Sequence, residues 1–342
     1  MVPKVKVHLG LIVGLLIAGS LASTARGDTS NLKLTAAGIA DGFSLSTVVD
    51  GFGQLSGCCG GPLGNAVNSD GNIMVSSSAA AGGTIYVFKD VDNQVLADKL
   101  SSTPFSPFPP AFATSGGSVW AGNGTTLIKL NNDGSIKQTY NIAFSVTNGL
   151  WTNPANGDLI GAGGNGLVDI NVSGPVPVAR LINGVGSDGV AVSPDGTTVY
   201  TNAVAGYNIL TGAQVAGTFS VAFGPDGMGV ITGGNSLNGD IVVNTNGGNI
   251  YLIDPSKCTI ANPGSCTPVL IASGGTRGDY TSPDPNGSLL VTQSDELMRL
   301  SCGQNCSIGG PPPTPEPASL LLLGSGLAAL AGFRKKLLAS RS

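Results

Sequence analysis

Six short turn motifs recur along the chain at nearly even spacing. Each contains a glycine that follows Asp, Asn or Gly and precedes a run of apolar and β-branched residues. Such dipeptides supply the positive φ angles that a tight β-hairpin requires. The spacings between these glycines are 46, 40, 39, 43 and 48 residues. The chain therefore contains a repeated hairpin unit, whose markers are Gly71, Gly117, Gly157, Gly196, Gly239 and Gly287.

The repeated unit contains more than one hairpin. A second glycine-rich turn followed by another strand-like run occurs at residues 82–88, 124–130 and 248–254. This period is the length of one four-stranded blade of a β-propeller. Only 11% of the residues are charged, which argues against a helical bundle. We predict an all-β fold, a six- or seven-bladed β-propeller closed by a strand over residues 43–49; a β-sandwich or β-solenoid is the alternative.

The N-terminal residues 1–27 are predicted to be a cleaved signal peptide. Lys4 and Lys6 precede an apolar segment over residues 9–18, and small residues follow. An uncleaved anchor is disfavoured because the apolar segment is short. The remaining chain divides into a propeller over 28–307, a Pro-rich linker over 308–317 and a C-terminal hydrophobic helix with a basic tail over 318–342.

The C-terminal end has three parts in a fixed order. Residues 311–317 are Pro-rich and are expected to be extended, since proline continues neither a helix nor a sheet. Residues 318–333 are uncharged and would span roughly 24 Å as a helix, slightly short of a bilayer core. Arg334, Lys335 and Lys336 follow, and these cations would hold that end at the cytoplasmic face. A plain membrane anchor is one interpretation of this arrangement.

Taken together, the three parts resemble the PEP-CTERM sorting signal of Gram-negative, biofilm-forming bacteria. The matching features are the triplet Pro315, Glu316 and Pro317, the Leu-rich apolar segment and the terminal basic cluster. The resemblance implies export across the inner membrane, transient anchoring there, and processing near the triplet by an exosortase-type enzyme. It leaves open whether the processed protein is released or stays attached to the cell surface.

A second resemblance concerns the body of the chain. Residues 193–202, with the sequence Ser-Pro-Asp-Gly-Thr-Thr-Val-Tyr-Thr-Asn, are similar to the repeat of YVTN-type propellers of surface and secreted proteins. Residues 224–227 repeat part of that sequence. This similarity covers one blade and supports the propeller fold more than any function.

The charge of the body limits its partners. Residues 28–317 contain 9 basic and 20 acidic side chains, a net charge of −11. Such a surface repels nucleic acids and attracts divalent cations or basic partners. We therefore predict no nucleic-acid partner.

Six cysteines occur as three local pairs, and export favours their oxidation. We predict a disulfide between Cys258 and Cys266 first, and one between Cys302 and Cys306 second. Cys58 and Cys59 are adjacent, and their pairing stays open, since six cysteines allow 15 connectivities. A zinc site is disfavoured, because the body contains no histidine and no paired CxxC motif.

Few residues in the body suit acid–base or metal chemistry. The only histidine, His8, lies in the predicted signal peptide, and Glu296 is the only glutamate apart from the sorting triplet. Lactonase-type propellers use a metal cluster containing Glu, and streptogramin-type lyases use a His base, so both resemblances fail here. We predict no catalytic residue, metal or cofactor. Calcium at oxygen-rich turns is the alternative to ordinary turn formation, at residues 90–93, 131–134, 279–286 and 295–296.

Trp151 is the candidate ligand-binding residue, because it lies near a loop and an indole can stack on a sugar ring. Packing in the core is the favoured interpretation of the same residue. We expect a non-catalytic surface or matrix protein that binds extracellular polysaccharide or protein. A secreted lactonase- or lyase-like enzyme that uses Asp and Ca²⁺ is the alternative, and a purely structural surface-layer protein is a third possibility.

Overall fold

Six antiparallel sheets surround a central channel in the computed structural model, which describes residues 31–53, 61–78, 83–105, 111–218, 224–262 and 265–310. The innermost strand of each sheet packs beside the innermost strand of the next, and the sixth packs beside the first. The fold is therefore a six-bladed β-propeller. The seven-bladed form, the sandwich and the solenoid are excluded by this closed ring.

Each blade has four core strands, which follow one another from the channel outwards. Blade 1 contains Pro62–Val67, Asn72–Ser77, Thr84–Lys89 and Ser101–Pro104. Blade 2 contains Ala111–Ser115, Ser118–Asn123, Thr126–Leu130 and Ile136–Asn141. Blade 3 contains Gly149–Thr152, Leu159–Gly163, Gly166–Asn171 and Val178–Asn183.

Blades 4 to 6 continue the ring. Blade 4 contains Val190–Val192, Thr198–Thr201, Gly206–Asn208 and Gln214–Ala216. Blade 5 contains Pro225–Gly233, Ile241–Thr245, Ile250–Ile253 and Val269–Ser273. Blade 6 contains Thr281–Pro283, Leu289–Thr292, Glu296–Ser301 and, from the N-terminal part of the chain, Ser44–Asp50.

The repeated turns explain the even division into blades. All six marker glycines lie between the first and second strands of their blades, with φ between 68° and 93°. A residue with a side chain is strained in this region of φ, which glycine adopts freely. Each blade thus contains one marker glycine at the same hairpin position.

The N-terminal segment closes the ring. Ser44–Asp50 pairs antiparallel with Glu296–Ser301, which confirms the predicted closing strand. Before it, Lys33–Leu34 pairs with the outer strand of blade 5, and the short helix Ala36–Ala40 packs on that strand. A Cβ atom at Gly38 would lie 2.2 Å from the Ile271 carbonyl oxygen, so only glycine permits this approach.

Three short elements complete the architecture. The strand Gln94–Val95 runs parallel to Ser44–Asp50 and covers its outer edge. Single 3₁₀ turns are formed by Leu96–Asp98 and Pro255–Lys257.

The apolar core lies between neighbouring blades. Val48, Phe88 and Leu297 belong to the cluster that joins blades 6 and 1. Met74 and Phe112 belong to the cluster between blades 1 and 2. Burial of such side chains contributes about 1.5–3 kcal/mol each, so the ring is held together mainly through its blade-to-blade contacts.

After blade 6 the chain returns to the channel. The strand Cys306–Ile308 pairs antiparallel with the end of Pro225–Gly233, the innermost strand of blade 5. The Gly309 amide then donates to the Val230 carbonyl at 2.7 Å. The described chain ends at Gly310, whose carbonyl accepts from Thr232 Oγ1 at 3.0 Å. The segment from Cys306 to Gly310 is therefore part of the folded body.

Both predicted disulfides are present. Cys258 bonds to Cys266, and Cys302 bonds to Cys306. The first fastens the loop before the outer strand of blade 5, and the second fixes the turn that leads to Cys306–Ile308. Cys58 and Cys59 lie outside the described residues.

We expect the double variant Cys258→Ser with Cys266→Ser to lose about 2–3 kcal/mol of unfolding free energy, because the bond closes a short loop in the unfolded chain. Urea denaturation without reductant measures this loss. The Cys302 bond, left intact, serves as the internal control, since adding reductant should lower the stability of the double variant further. An unfolding free energy equal to that of the wild type would contradict the prediction.

The predicted signal peptide (1–27) and the C-terminal hydrophobic segment with its basic tail (318–342) lie outside the described residues. Within the described ranges, no helix is long and apolar enough to cross a membrane.

Candidate functional site

The two ends of the channel differ in chemistry. The six innermost strands run in the same direction, so their starts lie together at one end of the channel and their ends at the other. A Cβ atom at Gly189 would lie 1.7 Å from the Asp226 carbonyl oxygen, and one at Gly227 would lie 2.3 Å from that of Asp279. Glycine is therefore required at both positions. We call the end where these strands begin the start face and the opposite end the end face.

The start face carries one polar residue at or just before the innermost strand in four consecutive blades. These residues are Asn148, Asp188, Asp226 and Asp279, in blades 3 to 6. Asn148 Nδ2 donates to Asp188 Oδ1 at 2.8 Å. Asp226 and Asp279 share a side-chain hydrogen bond. We call these four residues, with Arg277 and Tyr280, the polar ring.

Arg277 fixes one carboxylate of the polar ring. Its Nε donates to Asp279 Oδ2 at 2.9 Å and its Nη2 to Oδ1 at 2.8 Å. Two parallel bonds define both the position and the plane of the carboxylate. The hydrogen bond to Asp279 raises the pKa of Arg277, which keeps this side chain positively charged.

Asp226 holds a proton at neutral pH. Burial raises its pKa from 3.8 to about 8, and the negative charges of Asp279 and Asp188 add to the shift. A neutral carboxyl group donates a hydrogen bond, and here the acceptor is Asp279. Burial also raises the pKa of Tyr280, so its phenol stays protonated.

This arrangement combines donors and acceptors in a small area. The guanidinium of Arg277 and the carboxyl group of Asp226 donate to the Asp279 carboxylate, and Asn148 donates to the Asp188 carboxylate. Asp188 is solvent-exposed, Asn148, Arg277 and Tyr280 are half-buried, and Asp226 and Asp279 are buried beneath them. The half-buried and exposed members of the ring can contact a ligand rich in hydroxyl groups.

Calcium fits the polar ring poorly. Ca²⁺ requires six to eight oxygen ligands, usually with several ionised carboxylates. Here Arg277 forms an ion pair with Asp279 and so already places a positive charge against that carboxylate. Among the residues that the structure describes, no group of three or more His, Cys, Asp or Glu side chains is placed to hold a metal ion.

The channel narrows near the starts of the innermost strands. The free space there, between side chains such as Asn65, Phe112, Leu150 and Met228, is about 10 Å³. That volume holds one water molecule at most. The start face and the end face are therefore separate surfaces.

The end face contains a larger, mostly apolar cavity of about 310 Å³. Phe112, Trp151 and Pro283 form much of its wall, and Gly309 and Gly310 border it. We call it the end-face cavity. The C-terminal segment thus leaves the propeller beside this opening.

Trp151 is buried, as the core-packing interpretation predicted. Only 1% of its surface is exposed, and it lines the end-face cavity. Its Nε1 is a buried donor with no acceptor in the part of the chain that the structure describes. The indole face is not available for stacking on a sugar at the outer surface, although its edge borders the cavity.

The calcium interpretation of residues 90–93 and 279–286 is wrong, because an arginine occupies the position between their carboxylates. Arg299 Nη2 contacts Asp90 at 2.5 Å, its Nε contacts Asp92 at 2.9 Å, and its Nη1 bonds to Asp284. The Asp284 side chain is completely buried. These contacts join blade 6 to the outer connection of blade 1.

The remaining acidic turns are structural. Asp133 accepts from the backbone and hydroxyl of Ser135, which is ordinary turn formation. The sequence predicted a turn at residues 295–296, but Glu296 does not lie in a turn. It is buried in a strand of blade 6 and accepts from Thr47 Oγ1 of the closing strand at 3.0 Å.

Asp188, Asp226 and Arg277 were not predicted as site residues. A sequence signal for the acidic positions exists: Asn148-Gly149, Asp188-Gly189 and Asp226-Gly227 recur 40 and 38 residues apart. These dipeptides resemble the dipeptides of the hairpin turns. The sequence alone therefore does not show that they lie at the start of the innermost strands instead. Arg277 carries no comparable signal.

Residues 313–336 match the PEP-CTERM protein-sorting motif. The chain carries this sorting motif. The match includes Pro315, Glu316, Pro317, Arg334, Lys335 and Lys336, all outside the described residues. The motif implies export, sorting to the cell envelope of a Gram-negative bacterium and processing by an exosortase-type enzyme. No curated protein matches the sequence of the chain.

Solved structures share the propeller fold. A gluconolactonase from Xanthomonas campestris aligns with a TM-score of 0.54 at 14% identity, covering 80% of this chain and 95% of its own. A protein of unknown function from Bacteroides thetaiotaomicron aligns with a TM-score of 0.53 at 11% identity, covering 76% of each chain. A streptogramin B lyase has a TM-score of 0.45 at 16% identity, covering 76% of this chain and 97% of its own. At these identities the likeness shows the fold alone.

Proposed function

We propose that this exported propeller is a non-catalytic protein of the cell surface or extracellular matrix that binds polysaccharide through the polar ring. The sequence analysis also allowed a protein partner, which would bind at the same face. The polar ring favours polysaccharide, because its close mixture of donors and acceptors matches neighbouring hydroxyl groups. The carbohydrate of the organism's own matrix is the natural candidate.

The observation that carries this proposal is the hydrogen-bonded group of Arg277, Asp279 and Asp226. Arg277 fixes Asp279 through two bonds, and Asp226 contributes a carboxyl group that is neutral at pH 7. Groups that are already ordered lose little conformational entropy when a ligand binds. Exposed Asp188 and its partner Asn148 extend this surface towards blade 3.

We expect the Asp188→Ala variant to bind the producer's exopolysaccharide at least tenfold more weakly than the wild type at pH 7. A hydrogen bond to a charged group contributes about 1.5–3 kcal/mol, which corresponds to this factor or more. Isothermal titration calorimetry on residues 28–317 measures the affinity. Asp70→Ala is the matched control, because Asp70 is an exposed residue of the blade 1 hairpin at the end face. Equal weakening in both variants, or in neither, would contradict the proposed site.

A second candidate function is catalysis at the same ring. It is favoured by the side-chain contact between Asp226, whose pKa burial raises to about 8, and the carboxyl group of Asp279, since paired carboxyl groups can serve as general acid and base. A lactone, as in the gluconolactonase with the same fold, would be a suitable first substrate. Hydrolysis of gluconolactone by the wild type and not by Asp226→Asn would support this candidate over binding alone.

A further inference from the structure

The end-face cavity lies where the folded body meets the sorting segment. The strand Cys306–Ile308 directs the chain along the channel, and the Ile308 amide donates to the Gly287 carbonyl at 2.9 Å. Gly309 and Gly310 then border the cavity. The next residue is Pro311, the first of three consecutive prolines. Any extended continuation of the chain therefore starts at the rim of this cavity.

Two buried polar atoms at this place have no hydrogen-bond partner within the described ranges. One is Trp151 Nε1 and the other is Ser307 Oγ. A buried tryptophan N–H usually finds an acceptor, and leaving such a group unpaired costs about 1–3 kcal/mol. Both atoms therefore indicate a polar ligand at the junction between the C-terminal segment and the cavity.

The indole of Trp151 is directed towards the C-terminal segment. A Cβ atom at Gly309 would lie 2.4 Å from Trp151 Cζ2, the carbon next to the one that carries Nε1. Ser307 Oγ would lie 3.1 Å from a Cβ at Gly310. The unpartnered donor and the unpartnered hydroxyl are thus both placed beside the last described residues, and the missing acceptors are expected just beyond them.

We propose that the end-face cavity binds residues 311–317, the proline-containing part of the Pro-rich linker of the same chain, with Trp151 Nε1 donating to a carbonyl of residues 311–313. A polyproline II segment leaves its carbonyls without internal hydrogen bonds. Such segments dock into grooves lined by aromatic side chains. Phe112 and Trp151 are the aromatic residues in the wall of the cavity, and Pro154 and Pro283 lie beside them. Because the linker is joined to Gly310, binding is intramolecular and loses little translational entropy.

Docking would determine how the sorting triplet is presented. Pro315 lies five residues after Gly310, which is about 16 Å at the polyproline II rise. The triplet is thereby held close to the end face, and the processing enzyme meets it beside the folded propeller. The polar ring lies at the opposite face, so its function does not depend on this contact.

The test measures Trp151 directly by NMR of ¹⁵N-labelled residues 28–317. All strands of the six sheets lie between Lys33 and Ile308, so this chain retains the complete fold. The protein has two tryptophans and hence two indole signals. Trp120 is the internal reference, because its Nε1 donates to the Ser115 carbonyl within blade 2 at 3.1 Å.

We expect the variant with Pro311, Pro312 and Pro313 all replaced by alanine to exchange the Trp151 indole proton with solvent at least tenfold faster. The Trp151 signal should also shift, whereas the Trp120 signal stays unchanged. Pro175→Ala, an exposed proline near the outer strand of blade 3, is the matched control and should alter neither signal. An unchanged Trp151 exchange rate in the triple variant would overturn the proposal, since the cavity would then have another occupant or none.

Discussion

The Arg299→Met variant is expected to lose about 3–5 kcal/mol of unfolding free energy, as is usual when one partner of a buried ion pair is removed. Arg299 bonds to three carboxylates, and the Asp284 side chain has no exposed surface. Without the guanidinium, the Asp284 carboxylate would lie uncompensated between blades 6 and 1. Urea denaturation at pH 7 measures the loss.

Two comparisons make this test specific. Lys257→Met removes an exposed ion pair with Asp254 and should leave the stability unchanged within error. Adding Asp284→Asn to Arg299→Met should recover part of the loss, because the buried group is then neutral. Equal stability of Arg299→Met and wild type would show that the arginine is not needed to hold blades 6 and 1 together.

The second large effect concerns pH and Asp226. Its pKa is about 8 in the folded protein, against an ordinary value of 3.8. Between these values the folded state binds the extra proton, so the contribution of Asp226 to stability is greatest below about pH 4 and falls as the pH rises to 8. Each pKa unit corresponds to about 1.4 kcal/mol, so this single group lowers the stability by several kcal/mol across the range.

In the Asp226→Asn variant, the unfolding free energy should not show the fall between pH 6 and pH 8 that ionisation of Asp226 causes in the wild type. Its amide still donates to Asp279 but does not titrate, so at pH 8 the variant should be more stable than the wild type. Asp240→Asn is the comparison, since burial raises the pKa of Asp240 only to about 6. Its ionisation should therefore lower the unfolding free energy below about pH 6 and not between pH 6 and pH 8. Parallel stability profiles of wild type and Asp226→Asn between pH 6 and pH 8 would contradict the assignment.

The blades were predictable because their signal is local. A glycine with positive φ, such as Gly196 or Gly287, makes a hairpin whatever the distant sequence contains. The closing strand was also predictable, since its apolar pattern remained unassigned once six repeats had been counted. The disulfides followed from cysteines only 4 and 8 residues apart.

The sites were not predictable in the same way, because their residues are distant in sequence. Arg299 contacts Asp90 across 209 residues, and nothing local to residues 90–93 distinguishes an ion pair from a calcium-binding turn. Asp188 and Asp226 come together only when the innermost strands of blades 4 and 5 pack side by side. Trp151 was recognised as an aromatic residue near a loop, but the cavity beside it is formed by a C-terminal segment some 150 residues further along.

Both ends of the described chain pair with blades of the propeller, and this limits what cleavage of the sorting motif can change. Ser44–Asp50 completes blade 6, and Cys306–Ile308 covers the inner side of blade 5. Every strand pairing within the described ranges lies before residue 310. Cleavage near Pro315 would therefore leave the hydrogen-bonded body intact, as a protein that functions after removal of its sorting tail requires.

Hydrogen–deuterium exchange of residues 28–317, with and without fragments of the exopolysaccharide, tests the central claim most directly. If the polar ring binds polysaccharide, protection will increase at the start face, in the segments around Asn148, Asp188, Asp226 and Asp279. The hairpins of the end face, around Gly71 and Gly196, will exchange at unchanged rates. Protection confined to the end face or to the outer strands, or no protection at saturating polysaccharide, would contradict the account.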